Sequence, residues 1–251
     1  MKGCPLRCAW CHNPEGLSHD IELQYFEDKC IGCRACGERS KISDADKCPA
    51  DALKVCGRDI DVDSLASELL KDRTYYSNGG GVTFSGGECL LQVDFVVAVL
   101  EKIKALGITT AIDTSGFVSR DCIARTLSAC DLYLYDIKCI DQHLHKKYTG
   151  VDNSVIHENL KFLLKNGKDV WIRIPVIPGF NNSIGEMSAI ADFVKAQGGV
   201  KRVTLMPYHT LGKSKYKTLG IDYPFDGVKN VTESEMEEYR HLFSERNLPL
   251  Y

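Results

Sequence analysis

From residue 81 onward the chain alternates between short β-rich runs and helical runs, and this alternation limits the fold more than any other feature. "GVTFSGGE", "ITTAIDTSG", "LYLYDIK", "VWIRIPVIPG" and "VKRVTLMPYH" read as five strands. "LLQVDFVVAVLEKIKALG", "SRDCIARTLSAC", "SVIHENLKFLLKNG" and "IGEMSAIADFVKAQGG" lie between them with helical periodicity, most closing on glycine. Strands separated by helices pair in parallel, because a parallel neighbour needs a long crossover. "VDSLASELLKDRTYY" reads as the helix that leads into this repeat. An α/β fold is expected.

Each strand run ends in glycine, proline or polar residues: Gly86, Gly87 and Glu88; Asp113, Thr114, Ser115 and Gly116; Asp136 and Lys138; Pro178 and Gly179; His209. In parallel α/β sheets, ligands bind at the C-terminal ends of the strands. Five such endings on one rim predict a single shared site. The length of 251 residues suits one large domain, or a core with a small insert. A net charge of -3 gives no electrostatic case for nucleic acid. No apolar run is long enough to cross a bilayer, and the start lacks the pattern of a signal peptide. A cytoplasmic protein without nucleic-acid or membrane partners is expected.

Twelve cysteines are the informative count. Clustered cysteines in a cytosolic chain more often bind metal than form disulfides. Cys89, Cys122, Cys130 and Cys139 are scattered and suit small buried positions. Cys4, Cys8 and Cys11 form one group; Cys30, Cys33, Cys36 and Cys48 form another, with Cys56 nearby. Thiolates select zinc or iron–sulfur clusters. Three thiolates on a four-iron cluster leave one iron open, and an open metal position marks chemistry rather than structure. A zinc site completed by His12 is the plainer alternative, although structural zinc more often joins two separated ligand pairs. "CIGCRAC" followed by "CP" matches a ferredoxin-type four-iron pattern. Here 11 residues separate Cys36 from Cys48. A zinc knuckle on the same thiolates is the alternative there, and Cys56 could replace Cys48. Residues 17–57 interrupt the alternation, so the chain divides into 1–16, an insert at 17–57, and 58–251.

CxxxCxxC with Trp10 before its last cysteine resembles the radical S-adenosylmethionine (SAM) enzymes. "KGCPLRCAWCHNPEG", followed in order by "SGGE", "DTSG", "YDIK", "IRIPVIPG" and "MPYH", resembles one branch, the glycyl-radical-enzyme activating enzymes. The resemblance spans nearly the whole chain. It implies a partial (β/α)6 barrel of the TIM type carrying a small ferredoxin-like iron–sulfur insert. It implies that Cys4, Cys8 and Cys11 hold a [4Fe–4S] cluster whose open iron is chelated by SAM. Trp10 would lie near the adenine, with Gly86, Gly87 and Glu88 around the methionyl amino group. Asp113, Thr114 and Asp136 would surround the sulfonium and could hold a monovalent cation. Lys138 would face the SAM carboxylate, and Arg173 and His209 the ribose and adenine side.

The chemistry so implied is one-electron cleavage of SAM to a 5′-deoxyadenosyl radical, which takes hydrogen from a glycine of a large partner enzyme. A flavodoxin or ferredoxin would supply the electron, and a monomer is expected. Cys30, Cys33, Cys36 and Cys48 would bind one auxiliary four-iron cluster. That insert disfavours the plain pyruvate formate-lyase activase, which lacks one. The family usually has proline where this chain has Cys89, and the turn is expected to survive the change. Radical chemistry on a small molecule, an electron carrier without catalysis, and an inactive fragment are the competing readings. "HNPEG" argues against the first, and the complete rim against the second. The family's barrel has six strands, the first running into the cysteine loop, whereas Met1 stands where that strand would be ending. A missing first strand, an exposed sheet edge and weak cluster retention are therefore expected of this chain.

Overall fold

The computed structural model describes all 251 residues. The cysteine loop comes first, without regular structure. Two short strands, β1 (Glu22–Tyr25) and β2 (Leu53–Cys56), then pair antiparallel at the base of the insert. Helix α1 (Val62–Leu69) begins on Asp61, whose carboxylate caps Ser64 N at 2.8 Å. The 62–76 run is not one α-helix: Leu70–Tyr76 tightens into 3-10 turns. Lys71 to Tyr75 are all exposed, so no apolar face demands α-helical geometry there.

All five expected strands form. They are β3 (Gly81–Phe84), β4 (Thr109–Thr114), β5 (Leu132–Asp136), β6 (Asp169–Val176) and β7 (Arg202–Pro207). They build one parallel sheet in sequence order. The crossovers carry α2 (Val93–Ala105), α3 (Arg120–Thr126), α4 (Gln142–Thr149), α5 (Ser154–Lys165) and α6 (Ile184–Gln197). After β7 come α7 (Lys213–Leu219) and α8 (Glu233–Ser244). The tail then returns beside β7, with a parallel bridge between Val203 and Leu250.

Strand parity places the site. On β5, Tyr133 and Tyr135 are fully buried against the helices, while Leu134 and Asp136 alternate onto the other, half-exposed face. The same alternation puts Asp113 of β4 and Arg173 of β6 on that face, and β5–β6 register sets Asp136 opposite Arg173. The main core, including Val96, Leu100, Ile123, Leu160, Ile190 and Phe243, lies between sheet and helices. A second apolar cluster gathers Trp10, Phe180, Tyr208, Tyr216, Tyr223 and Phe225 beside the cysteine loop.

Candidate active site

The cysteine loop is held at three places by backbone groups. At its start, Gly87 N donates to Met1 O at 2.9 Å and Glu88 N to Gly3 O at 2.7 Å. In its middle, Arg7 N donates to Thr149 O at 2.7 Å and Ala9 N to Tyr148 O at 3.0 Å. These are carbonyls of the last turn of α4, which have no partner within the helix. At its end, Pro14–Gly16 forms a 3-10 turn. Gly86 (φ +125°) and Gly87 admit no side chain. A Cβ on Gly86 would sit 2.2 Å from Met1 O, and one on Gly87 2.2 Å from Gly3 O. The glycines thus let the first residues of the chain lie against the rim, where the sequence suggested close approach of a ligand. Cys89, in place of proline, is fully buried and opens a 3-10 turn capped by the Glu88 side chain.

A cavity of about 290 Å³ opens beneath this loop at the C-terminal ends of the strands. Cys4, Cys8, Cys11 and Trp10 line it from the loop; Gly86, Gly87, Asp113, Asp136, Lys138, Arg173 and His209 line it from the rim. Of the rim residues read from the sequence, Glu88 and Thr114 stand behind the wall instead. Glu88 is fully buried and accepts from Thr114 Oγ1 (2.9 Å), Ser115 N (2.9 Å) and Ser115 Oγ (2.6 Å). Burial raises its pKa, against these hydrogen bonds. Its carboxyl ties the β3 and β4 endings together and has no face on the cavity.

Charge pairs form the floor. Arg173 bridges Asp113 and Asp136, with Nε 3.1 Å from Asp136 Oδ1. Lys138 Nζ lies 2.7 Å from Asp136 Oδ2, and Ser85 Oγ donates to Asp113 at 2.8 Å. Burial opposes ionisation of Asp136, but Lys138 and Arg173 outweigh it and hold the pKa below the usual range. Asp113 goes the other way: burial and the nearby Asp136 charge raise it. Burial alone would lower the pKa of Lys138, yet Asp136 and the neighbouring Cys8 raise it.

The three thiols are also shaped by burial, which raises Cys4 and Cys11 and pushes Cys8 up to about 12. A soft metal would displace those protons, since metal ligation requires thiolate. His12 lines the cavity too, its ring 4.3 Å from that of His209. His12 Nε2 and His209 Nδ1 are buried without hydrogen-bond partners. Soft thiols, cations, carboxylates and unpaired ring nitrogens in one chamber fit an iron–sulfur cluster with a zwitterionic nucleoside ligand. Ser115, one of the strand endings, lines the cavity as well; other lining residues were not read from the sequence, among them Asn13, Ser85 and Met206. For Ser85, the signal was present in its place at the end of a strand run.

The other cysteine group lies apart, on the insert. Cys30 and Cys33 are exposed, Cys36 and Cys48 half-buried. Ala52 N donates to Cys48 Sγ at 3.3 Å. A hydrogen bond from Tyr25 lowers the Cys30 pKa, and a backbone bond at Ala50 lowers that of Cys48. Cys56 is raised by burial, and its charged neighbours are Lys2, Glu15, Glu22 and Lys215.

Residues 1–194 match the family model of the radical SAM superfamily. The chain is 34% identical over 278 residues to the choline trimethylamine-lyase activating enzyme of Oleidesulfovibrio alaskensis, covering 100% of this chain and 90% of that one. It is 37% identical over 272 residues to the trans-4-hydroxy-L-proline dehydratase activating enzyme of Clostridioides difficile, covering 98% and 90%. Among solved structures, a domain of pyruvate-formate lyase-activating enzyme from Bacteroides vulgatus superposes with a TM-score of 0.59 at 26% identity, over 69% of this chain and 98% of that one. Streptococcus suis SuiB bound to S-adenosylmethionine shares the fold, with a TM-score of 0.64 at 14% identity, over 98% of this chain and 47% of that one.

Proposed function

The chain belongs to the radical SAM superfamily and, within it, to the activating enzymes of glycyl radical enzymes, and on that premise we propose which residues carry the activation. Cys4, Cys8 and Cys11 hold the SAM-binding four-iron cluster. The observation that carries this reading is their opening onto the same cavity as Asp113, Asp136, Lys138, Arg173 and His209. With SAM bound, the cluster would supply the one electron that splits SAM into methionine and the hydrogen-abstracting 5′-deoxyadenosyl radical.

The chain's own residues bind and orient. Lys138 presents the cation for the SAM carboxylate, Arg173 faces the ribose side, and Asp136, kept ionised between them, fixes both. His209 and Trp10 line the side taken by the nucleoside. Trp10 is 6% exposed and packs on Phe180 at 4.6 Å, so the aromatic cluster excludes water from that end. Glu88 and Thr114 are positioning residues, holding Ser115 at the rim. The proposal does not extend to a monovalent cation, since Arg173 and Lys138 already neutralise Asp113 and Asp136.

Residues 17–57 form a ferredoxin-like unit in which Cys30, Cys33, Cys36 and Cys48 hold one auxiliary four-iron cluster. Cys48 is favoured over Cys56 by the amide aimed at its sulfur and by its lowered pKa. A flavodoxin or ferredoxin delivers the electron to a monomeric, cytoplasmic enzyme. No helix is long and apolar enough to cross a membrane. The protein substrate is a glycyl radical enzyme of the kinds these relatives activate, such as a choline lyase or a hydroxyproline dehydratase.

The test is anaerobic reconstitution followed by reduction with SAM present. About eight irons per chain are expected, from two four-iron clusters, together with release of 5′-deoxyadenosine. Product without about eight irons would remove the auxiliary cluster; a reduced cluster without product would remove the site assignment.

A further inference from the structure

The segment that follows Cys11 is tied to a helix some two hundred positions away. Lys215 of α7 donates through Nζ to Asn13 Oδ1 at 2.7 Å and to Glu15 Oε1 at 2.6 Å. Asn13 lines this cavity and also a neighbouring second one, which Glu15 faces. Lys2 reaches the same place from the chain start, donating to Glu15 O at 2.7 Å and to the Glu22 carboxylate at 2.8 Å. Glu22 opens β1 of the insert. Helix α7 holds the insert as well: Lys217 pairs with Glu27 at 2.7 Å. Glu15 is therefore the joint of three parts, the cysteine loop, the base of the insert and α7.

The chemistry of the joint favours a held geometry. Glu15 is only partly exposed, and its Oε2 is buried without a partner. Without the lysine, the other carboxylate oxygen would lose its cation too, and moving the loop toward water would be the relief. A displaced Glu15 moves Asn13, two residues back on the cavity wall. Neither residue belongs to the set of rim groups read from the sequence.

We propose that Lys215 is a positioning residue for radical generation: through Asn13 and Glu15 it sets the loop after Cys11 against the cavity, and through α7 it makes that setting depend on the insert. The inference rests on the cavity being the SAM site.

The test uses the full chain, reconstituted anaerobically and reduced, with SAM titrated against the electron paramagnetic resonance spectrum of the core cluster. Lys215→Met is expected to keep its iron, weaken the SAM half-saturation by about fivefold, the upper range for a partly exposed ion pair, and alter the SAM-bound line shape. Lys215→Arg restores both. Glu15→Ala gives the same defect, and the double variant costs less than the sum of the two. A Lys215→Met protein with wild-type titration and line shape overturns the inference, as does strict additivity. If Lys215→Met loses its iron, Glu15→Ala decides: a wild-type response there overturns it equally. A wild-type protein with no SAM response removes the site reading and this inference with it, whereas a responsive wild type with silent variants removes the inference alone.

Discussion

Leu6 and Trp10, which alternate with the cysteines of the first group, are 1% and 6% exposed, whereas Ile31, between Cys30 and Cys33, is 69% exposed. The contrast extends to everything around them. The first loop is clamped by the rim of the sheet, by α4 and by α7. In residues 17–57 only Asp44, Ala52 and Leu53 are buried. A scaffold positions the first cysteines; the second have almost no apolar core beside them. A lobe without a core needs another source of order, and four thiolates on one cluster would supply it.

The largest effect should separate the two groups outright. Cys8→Ser is expected to reduce 5′-deoxyadenosine formation by about a thousandfold or more, as removal of an essential reacting group does. Cys33→Ser should cost about four irons per chain. With a chemical reductant its SAM cleavage should stay within about tenfold of wild type. If Cys33→Ser abolished SAM cleavage as well, the two regions would be one functional unit and the contrast would fail.

Stripping the iron tests the same contrast in stability. Limited proteolysis of the metal-free protein should cut first between residues 27 and 48, at least about tenfold faster than in the reconstituted form. Strands β3–β7 should resist equally in both. Equal cutting rates with and without iron would mean that the insert holds itself together.

Acid should act in the opposite order, and less strongly. Burial lowers His157 from 6.5 to about 4, so the fold favours its neutral form. Its contribution is present above pH 6.5 and is lost as the pH falls through about 4, because the unfolded chain takes up the proton first. Asp44 loses stability in the same direction but at lower pH. Hydrogen bonds from Lys47, Lys41 and Ser40 lower its pKa, so its contribution to the insert is full above the ordinary aspartate value of 3.8 and is lost only as the pH falls through its lowered pKa. The core should therefore weaken before the insert does. Near-ultraviolet circular dichroism against pH would follow the first step, and His157→Leu should remove it.

The sequence carried the sheet because its signal is local. Alternating strand and helix runs mark β3 to β7, and strand endings mark Asp113, Asp136, Lys138 and His209. It did not carry α4, whose Gln-His-Leu-His-Lys-Lys-Tyr-Thr has too few apolar residues for a periodic stripe. It missed α8, although Met236, Tyr239, Leu242 and Phe243 do keep helical spacing. Glu88 is hard to place from sequence for a different reason. A carboxylate in a rim motif looks like a ligand group, and only the tertiary fold shows its oxygens turned onto Thr114 and Ser115. The Lys215–Glu15 contact joins positions that no short pattern could relate.

The α4 carbonyls that receive Arg7 N and Ala9 N have a consequence for what this loop can vary. Between Cys4 and Cys11 the intervening positions are of unlike kinds. Positions 6 and 10 are filled by buried side chains and are limited by volume. Positions 7 and 9 are gripped through the peptide amide, which every residue but proline provides. A library randomised at 9 should return nearly any composition except proline, one at 7 should exclude proline and favour arginine, whose guanidinium also donates to Cys4 O and Leu6 O, and one at 6 and 10 should return only large apolar side chains. The unspecified letters of the motif thus form two alphabets, one written in side-chain volume and the other in backbone N–H.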